Sequence, residues 1–259
     1  MSGTPAITGI PTTEDGFLGG RLRLLQPTKG FRAGIDSVFL AAAVPCRPGE
    51  RLLEAGLGAG VAALCLLARM ADTHLTGVEI AEDHARLAAE NAARNGLGDR
   101  LTVIRADVTG LTRRGSAAGL KPGSFHHALA NPPYYEEAKS TPSPHALKAR
   151  AHGFGAGGLE AWIKVLHTLL ASRGTLSIVH TAEMAGRLLA LMDKRFGDIR
   201  LAPLFPREGA AASRVIIQGV KDSRAPLQIL PGLVLHGAGN GFTPEAEAVL
   251  REGAAWPLR

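Results

Sequence analysis

Apolar residues along this chain come in short runs of two kinds, and the two kinds take turns. Arg51-Leu52-Leu53 is a brief strand-like run, and after a glycine-rich turn Val61–Arg69 (Val-Ala-Ala-Leu-Cys-Leu-Leu-Ala-Arg) reads as a strong helix. Residues 75–78 form a second apolar strand, followed by a helix over about 82–95 with acids in its first turn and Asn95-Gly96 as its stop. Residues 101–104, 125–130 and 175–179 supply a third, fourth and fifth strand. Before the fifth, Leu159, Trp162, Val165, Leu166 and Leu169 make a helical stripe over 159–171, and another helix follows it through about Lys194. Arg200-Leu201 and the stretch from Ser213 to Val220 look like a closing antiparallel pair. Such alternation predicts an α/β fold, with a mostly parallel sheet covered by helices on both faces. Residues 1–20, rich in Gly, Thr and Pro, are expected to be a poorly ordered arm. The expected organisation is thus an N-terminal arm over 1–30, partly disordered, and a single domain over 31–259. There is no internal repeat and no coiled coil.

Composition narrows the class. With 259 residues, 46% of them apolar, the chain can bury a full core in one domain with room for appendages. No run is long enough to span a membrane, and the first residues lack the charged-then-apolar order of a secretory signal. Cys46 and Cys65 suggest neither a disulfide framework nor a zinc site, so a reducing cytoplasm is the expected compartment. Lysine and arginine number 29 against 23 acids, a net charge of +6 that suits a polyanionic partner.

The glycine turn Glu54-Ala-Gly-Leu-Gly-Ala-Gly60 carries the first chemical signal. Strand, glycine turn and helix in this order let backbone approach a nucleotide-type ligand while the helix N-terminus points at it. Glycines fall at 56, 58 and 60, whereas a dinucleotide fingerprint wants its third glycine where Val61 sits. That spacing favours S-adenosyl-L-methionine over NAD. The second strand ends in Glu79, followed by Ile80, about twenty residues after the turn, where an acid can accept both hydroxyls of a ribose. The third strand leads to Asp107-Val108, a usual place for a carboxylate that accepts from an adenine amino group.

Asn131-Pro132-Pro133-Tyr134 follows the fourth strand, at the carboxyl edge of the predicted sheet. Taken alone it is a rigid turn closing a strand. Downstream of the glycine turn it looks like the acceptor site of an enzyme that methylates a planar nitrogen. The lone pair of an exocyclic amine is delocalised into its ring, so the nitrogen must be oriented rather than merely deprotonated. The side-chain oxygen of Asn131 and the Pro132 carbonyl are two acceptors for the two N–H bonds of one NH2, which turns the lone pair toward a methyl donor. Consecutive prolines remove two N–H donors and leave carbonyls as the main polar groups. Tyr134 and Tyr135 offer aromatic faces for a base.

A long stretch without clean periodicity, 135–158, follows that turn and carries Lys139, His145, Lys148, Arg150 and His152. Its position suggests a substrate-gripping loop, with a solvated connector as the plainer reading. The chain's histidines and Cys65 show no metal-ligand spacing, so no metal is expected.

Taken together, Phe31 to Leu40 (Phe-Arg-Ala-Gly-Ile-Asp-Ser-Val-Phe-Leu), Glu54 to Gly60, Val78-Glu79, Ala106-Asp107, Asn131 to Tyr135, Ala149-Arg150 and the tail from Leu233 to Pro244 resemble the bacterial tRNA(Val) adenine-N6 methyltransferases. The similarity runs over about residues 30–252. It implies a Rossmann-like class I methyltransferase fold with a mostly parallel seven-stranded sheet and a C-terminal strand/helix extension. It also implies S-adenosyl-L-methionine as cofactor and an adenine of tRNA as substrate. By position, Asp36 and its helix would close over the methionine part of the cofactor, with Glu54, Gly56, Gly58 and Gly60 lining it. Glu79 with Ile80 would hold the ribose, and Asp107 with Val108 the adenine. Asn131 and Tyr134 would hold the target base, beside Pro132, Pro133 and Tyr135. The basic residues after Tyr135 match the family only loosely; from their charge and place Lys148 and Arg150, with Arg214 near the closing strand as a weaker candidate, are expected on the RNA backbone. One departure is Leu57, where many methyltransferases have a small or polar residue.

Three other readings stay open. A glutamine amide in a protein poses the same orientation problem, although enzymes of that kind carry an N-terminal helical domain for which the thirty residues here are too few. A small-molecule O-methyltransferase would need a base or metal near the acceptor hydroxyl. An RNA-binding scaffold without turnover is the non-enzymatic option, against which the intact Asn131, Glu79 and glycine turn argue.

Overall fold

The computed structural model describes residues 9–112, 119–132, 158–239 and 241–258. Among them the order is β1 (Thr12–Phe17), β2 (Leu22–Pro27), α1 (Ile35–Ala43), β3 (Arg51–Ala55), α2 (Val61–Arg69), β4 (His74–Glu79), α3 (Glu82–Arg94), β5 (Leu101–Arg105) and β6 (Phe125–Ala130). Then follow α4 (Gly158–Leu169), β7 (Leu170–Thr181), α5 (Ala185–Met192), β8 (Phe196–Arg207), β9 (Arg214–Lys221), β10 (Gln228–Ile229), β11 (Leu233–His236) and α6 (Pro244–Leu250).

Parallel strands β7, β6, β3, β4 and β5 lie side by side in that order, and β9 inserts antiparallel between β7 and β8. The seven expected strands are β3 to β9, and the short β10 and β11 extend the sheet along β8. After β5 the chain crosses back over β3 to place β6, so the strand order reverses between β3 and β6. A crevice opens at such a reversal, outside the carboxyl ends of the strands. Here those ends deliver the glycine turn and Asn131.

Two apolar clusters sandwich the sheet. Leu52 of β3 and Leu129 of β6 face the cluster built with α1, α2 and the N-terminal strands; Leu53 and Ala128, one residue on or back, face the cluster built with α4 and α5. Burial on both faces is why these strands read as continuous apolar runs. α2 is apolar almost all round because α1 lies on the side that the sheet leaves uncovered, and Val61 to Leu67 are all buried.

From residue 9 on, the N-terminal stretch is not an arm. β1 and β2 form an antiparallel hairpin in register from Thr12↔Pro27 to Phe17↔Leu22, and Leu18, Leu22 and Leu24 join the core. Residues 1–8 lie outside the described residues. What docks the hairpin is Asn91 of α3, fully buried: its Oδ1 accepts from the Leu25 N–H at 2.8 Å, and its Nδ2 donates to the carbonyls of Leu25 and Ala59, each at 2.9 Å. One carboxamide thus joins hairpin, helix and glycine turn. Removing it in Asn91→Ala leaves interior backbone groups unpaired, an expected cost of about 2–3 kcal/mol in urea unfolding. A loss below about 0.5 kcal/mol would mean that apolar contact alone docks the hairpin.

Candidate active site

The glycine turn takes its shape from backbone freedom and from neighbours. Gly56, at φ 73°, could carry no side chain, since a Cβ there would stand 2.8 Å from Cη2 of Trp162 on α4. Gly58 has φ 55° and nothing within 4 Å of where a Cβ would be, so the turn presents bare backbone to open space. Between them Leu57 is buried and packs over Gly77 of β4.

Glu79, at the end of β4, braces this turn: its Oε2 accepts from the Gly58 N–H and its Oε1 from the Ala81 N–H, both at 2.8 Å. Each carboxylate oxygen keeps a further lone pair for a hydroxyl. Asp107, after β5, caps a single 3-10 turn through Oδ1, which accepts from the N–H and the Oγ1 hydroxyl of Thr109 at 2.8 Å each. The Val108 side chain is buried with the α4 and α5 cluster, which leaves only its backbone at the edge; Ile80 is half-buried.

Glu54, at 2% exposure, is the anomaly of the site: its Oε2 is buried with no hydrogen-bond partner. Burial holds its carboxyl well above the usual carboxylate range, the Ala63 N–H opposes that, and the nearby Glu79 adds to it. Glu54, Gly56, Ser37, Phe31 and Asn131 line one cavity. Asn131, 8% exposed, donates from Nδ2 to Ser37 Oγ at 3.0 Å, which ties the end of β6 to the first turn of α1. The neighbouring Asp36 pairs with Arg214 at the start of β9, Oδ2 to Nε 2.9 Å. The structure therefore sets Arg214 against Asp36, two residues that were read from sequence on opposite sides of the reaction. Pro132 is buried beside Asn131, whereas Pro133, Tyr134, Tyr135, Lys148 and Arg150 lie outside the described residues.

Sequence reading missed Ser37, Phe31 and His180. Ser37 and Phe31 were inside the run that carried the resemblance, but nothing in spacing assigns them a contact. His180, near the end of β7, is pushed down to about 4 by burial and by the Arg214 charge; its Nδ1 accepts from the Thr181 N–H at 2.8 Å. It is thus a neutral imidazole at neutral pH. His127 is occupied elsewhere, at the amino ends of the strands, by Thr175 at 2.7 Å and Glu50 at 2.9 Å. Among the described residues no three His, Cys, Asp or Glu side chains gather as a metal site would require, and no helix is long and apolar enough to cross a membrane.

The methyltransferase small domain family matches residues 32–203, most of the chain including the turn, Glu79 and Asn131. The chain belongs to that family. A tRNA1(Val) (adenine(37)-N6)-methyltransferase of Aeromonas hydrophila is 30% identical to this methyltransferase over 191 residues, 72% of this chain and 75% of that one. The protein of the same name from Actinobacillus succinogenes is 26% identical over 239 residues, 92% and 96% of the two chains. A crystal structure from Agrobacterium tumefaciens, described as a predicted O-methyltransferase, superposes with a TM-score of 0.71 at 28% identity, covering 86% of this chain and 98% of that one. The fold is that of the class I methyltransferases, and the methyl donor is S-adenosyl-L-methionine. The residues present fit it: a bare glycine cradle, an acid at the end of β4, and a buried carboxyl oxygen that lacks a partner.

Glu54 gives this methyltransferase a pH signature. Unfolded, the carboxyl ionises near its ordinary value; folded, it holds its proton to higher pH. Above the unfolded value the folded state binds more protons, so stability falls as pH rises. Glu54→Gln is expected to remove a decline that sets in as pH rises past the ordinary carboxylate range, with a slope of up to about 1.4 kcal/mol per pH unit, read by denaturant unfolding without the donor. Parallel profiles for the two proteins would clear Glu54 of the effect.

Proposed function

We propose that this methyltransferase transfers the methyl group of S-adenosyl-L-methionine to the exocyclic N6 amine of an adenine in tRNA, in the cytoplasm. One observation carries the reading: Asn131, which Pro-Pro-Tyr follows in the sequence, stands at the carboxyl end of β6, clamped by Ser37, in the same cavity as Glu54 and the glycine turn. With Nδ2 committed to Ser37, the carboxamide is set in one orientation, and Oδ1 is the atom that accepts an N–H of the amine. The Pro132 carbonyl takes the other N–H. When bound, the donor supplies an electrophilic methyl on a sulfonium. The proton that the nitrogen sheds after transfer passes to water, because an alkylated aromatic amine is strongly acidic and needs no dedicated base.

The remaining roles are those that the resemblance and the chemistry of the side chains suggest. Glu54 faces the cationic methionine part, Glu79 accepts from the ribose hydroxyls, and Asp107 accepts from the cofactor adenine. Asp36, locked by Arg214, holds the first turn of α1 over the site. Tyr134 and Tyr135 flank the base, and Lys148 and Arg150 meet phosphates. The names of the Aeromonas and Actinobacillus relatives support a tRNA adenine, and the net charge of +6 suits a polyanion. The description of the Agrobacterium protein points instead to a hydroxyl. Two adjacent acceptors suit an NH2 with its two N–H bonds, whereas a hydroxyl offers only one, so nitrogen is favoured.

Incubating the protein with donor and total tRNA, then digesting to nucleosides, should yield N6-methyladenosine by mass spectrometry; methylation of a glutamine peptide instead would overturn the substrate. Asn131→Ala should lower kcat by about 100- to 1,000-fold, as for loss of one group that orients charge in the transition state, with cofactor affinity within about threefold. Full activity in that variant would sink the orienting role. Neutralising Lys148 and Arg150 together should flatten the slope of log affinity for tRNA against log salt by about one to two. An unchanged slope would make their segment a connector.

A further inference from the structure

Among the described residues three large apolar side chains stand exposed, Phe31 at 47%, Leu227 at 47% and Ile229 at 72%. Leu227 and Ile229 belong to the short outer strand β10 and its approach. Phe31 is different, because its ring is at the rim of the cavity that also holds Asn131, Glu54 and Gly56. Resting on the adenine reading above, we propose that Phe31 is an aromatic platform for the acceptor base, which fixes the tilt of the base plane over Asn131.

The ring is mounted on a braced segment. Two residues on, the Ala33 N–H donates to Gln26 Oε1 at 2.8 Å, and Gln26 Nε2 donates back to the Ala33 carbonyl at 3.0 Å and to Asp15 Oδ2 at 2.7 Å. Arg32, next in the chain, donates from Nη1 to Thr13 Oγ1 at 2.7 Å and to the Pro27 carbonyl at 2.9 Å, and from Nη2 to Asp15 Oδ2 at 2.5 Å. Gln26 is itself buried, at 2% exposure. Backbone that is fixed before the ligand arrives loses little freedom on binding, and the ring is carried on such backbone. The same segment runs straight into α1, whose Ser37 clamps Asn131. One stretch of chain, braced by the β1–β2 hairpin, therefore presents both the ring and the contact that orients the amide.

The two contacts divide the task. Asn131 and the Pro132 carbonyl act in the plane of the base, on its amine, and neither restrains rotation of the ring about that edge. A phenyl ring has no hydrogen-bonding group and acts only on the π-face. The cavity that Phe31 lines takes in Asn131 at the end of β6, whereas Glu79 and Asp107, one and two strands beyond β3 in the other direction, are not among its lining residues. That places the ring with the acceptor rather than with the ribose and adenine of the donor.

The test uses Phe31→Leu, Phe31→Ala and Phe31→Tyr, each assayed with tRNA as acceptor and by calorimetry with S-adenosyl-L-methionine alone. Leucine and alanine variants should lose about tenfold or more in kcat/KM for tRNA, as expected for a lost base–aromatic stack, with donor affinity within about twofold. Tyrosine should restore the rate, because it returns the π-face. Thermal unfolding of each variant should match the parent, since the ring is half in solvent. If parent enzyme methylates adenine and Phe31→Leu keeps its kcat/KM, the platform is refuted and the adenine reading stands. A loss that appears in donor affinity instead assigns the ring to the cofactor and also refutes it. Should the parent methylate only a glutamine peptide, both fall together.

Discussion

A turn made of glycines has no shape of its own, and the working shape of this one is imposed by side chains that arrive from other elements. Glu79 pins the Gly58 N–H, Trp162 presses on Gly56, and Asn91 holds the Ala59 carbonyl. Backbone that must approach a ligand closely cannot be stiffened by its own side chains, so stiffness is imported. The consequence is that residues which never meet the ligand set the geometry in which it is met. Asn91 shows this most directly, because the carboxamide that steadies the turn also docks the hairpin that braces Arg32 and Ala33.

Charge follows the same logic. Around one crevice the fold places Glu54 without a second donor, Glu79 satisfied by two backbone N–H groups, and Asp36 paired with Arg214. Three carboxyl groups within one site thereby differ in how firmly they are held, and burial raises the proton affinity of Glu54. Their differences come from burial and partners rather than from residue type.

What could be read from the sequence was whatever is local. β3, the glycine turn and α2 were legible as a unit, because strand, positive-φ glycines and apolar helix are consecutive. α3, β6 and β9 were legible from period and turn residues, to within a few positions at their ends, whereas of the twelve-residue β8 only Arg200-Leu201 was read as strand. The hairpin was not, since Thr12–Phe17 is mostly polar and its anchor is 66 residues away in α3. The same limit applied within the site. Glu54, Gly58, Glu79 and Asn131 could be named from spacing, but the pairing of Asp36 with Arg214 spans 178 residues and leaves no local trace. Val108 was named from its neighbour Asp107, and only its backbone reaches the edge because its side chain had a better place in the core.

The placement of β9 has a consequence for how the protein comes into being. β8 touches the rest of the parallel sheet through β9 alone, its other neighbours being the short β10 and β11. A growing chain that has emerged only as far as residue 207 therefore has every strand of the parallel core, yet β8 has nowhere to attach, and β7 stands as an open edge. Arg214, the partner of Asp36, is the first residue of the strand that closes this gap. Completion of the sheet and locking of α1 over the crevice are thus one event, and it comes late in synthesis. A ribosome-bound fragment can thus hold the glycine turn before the Asp36–Arg214 pair can form.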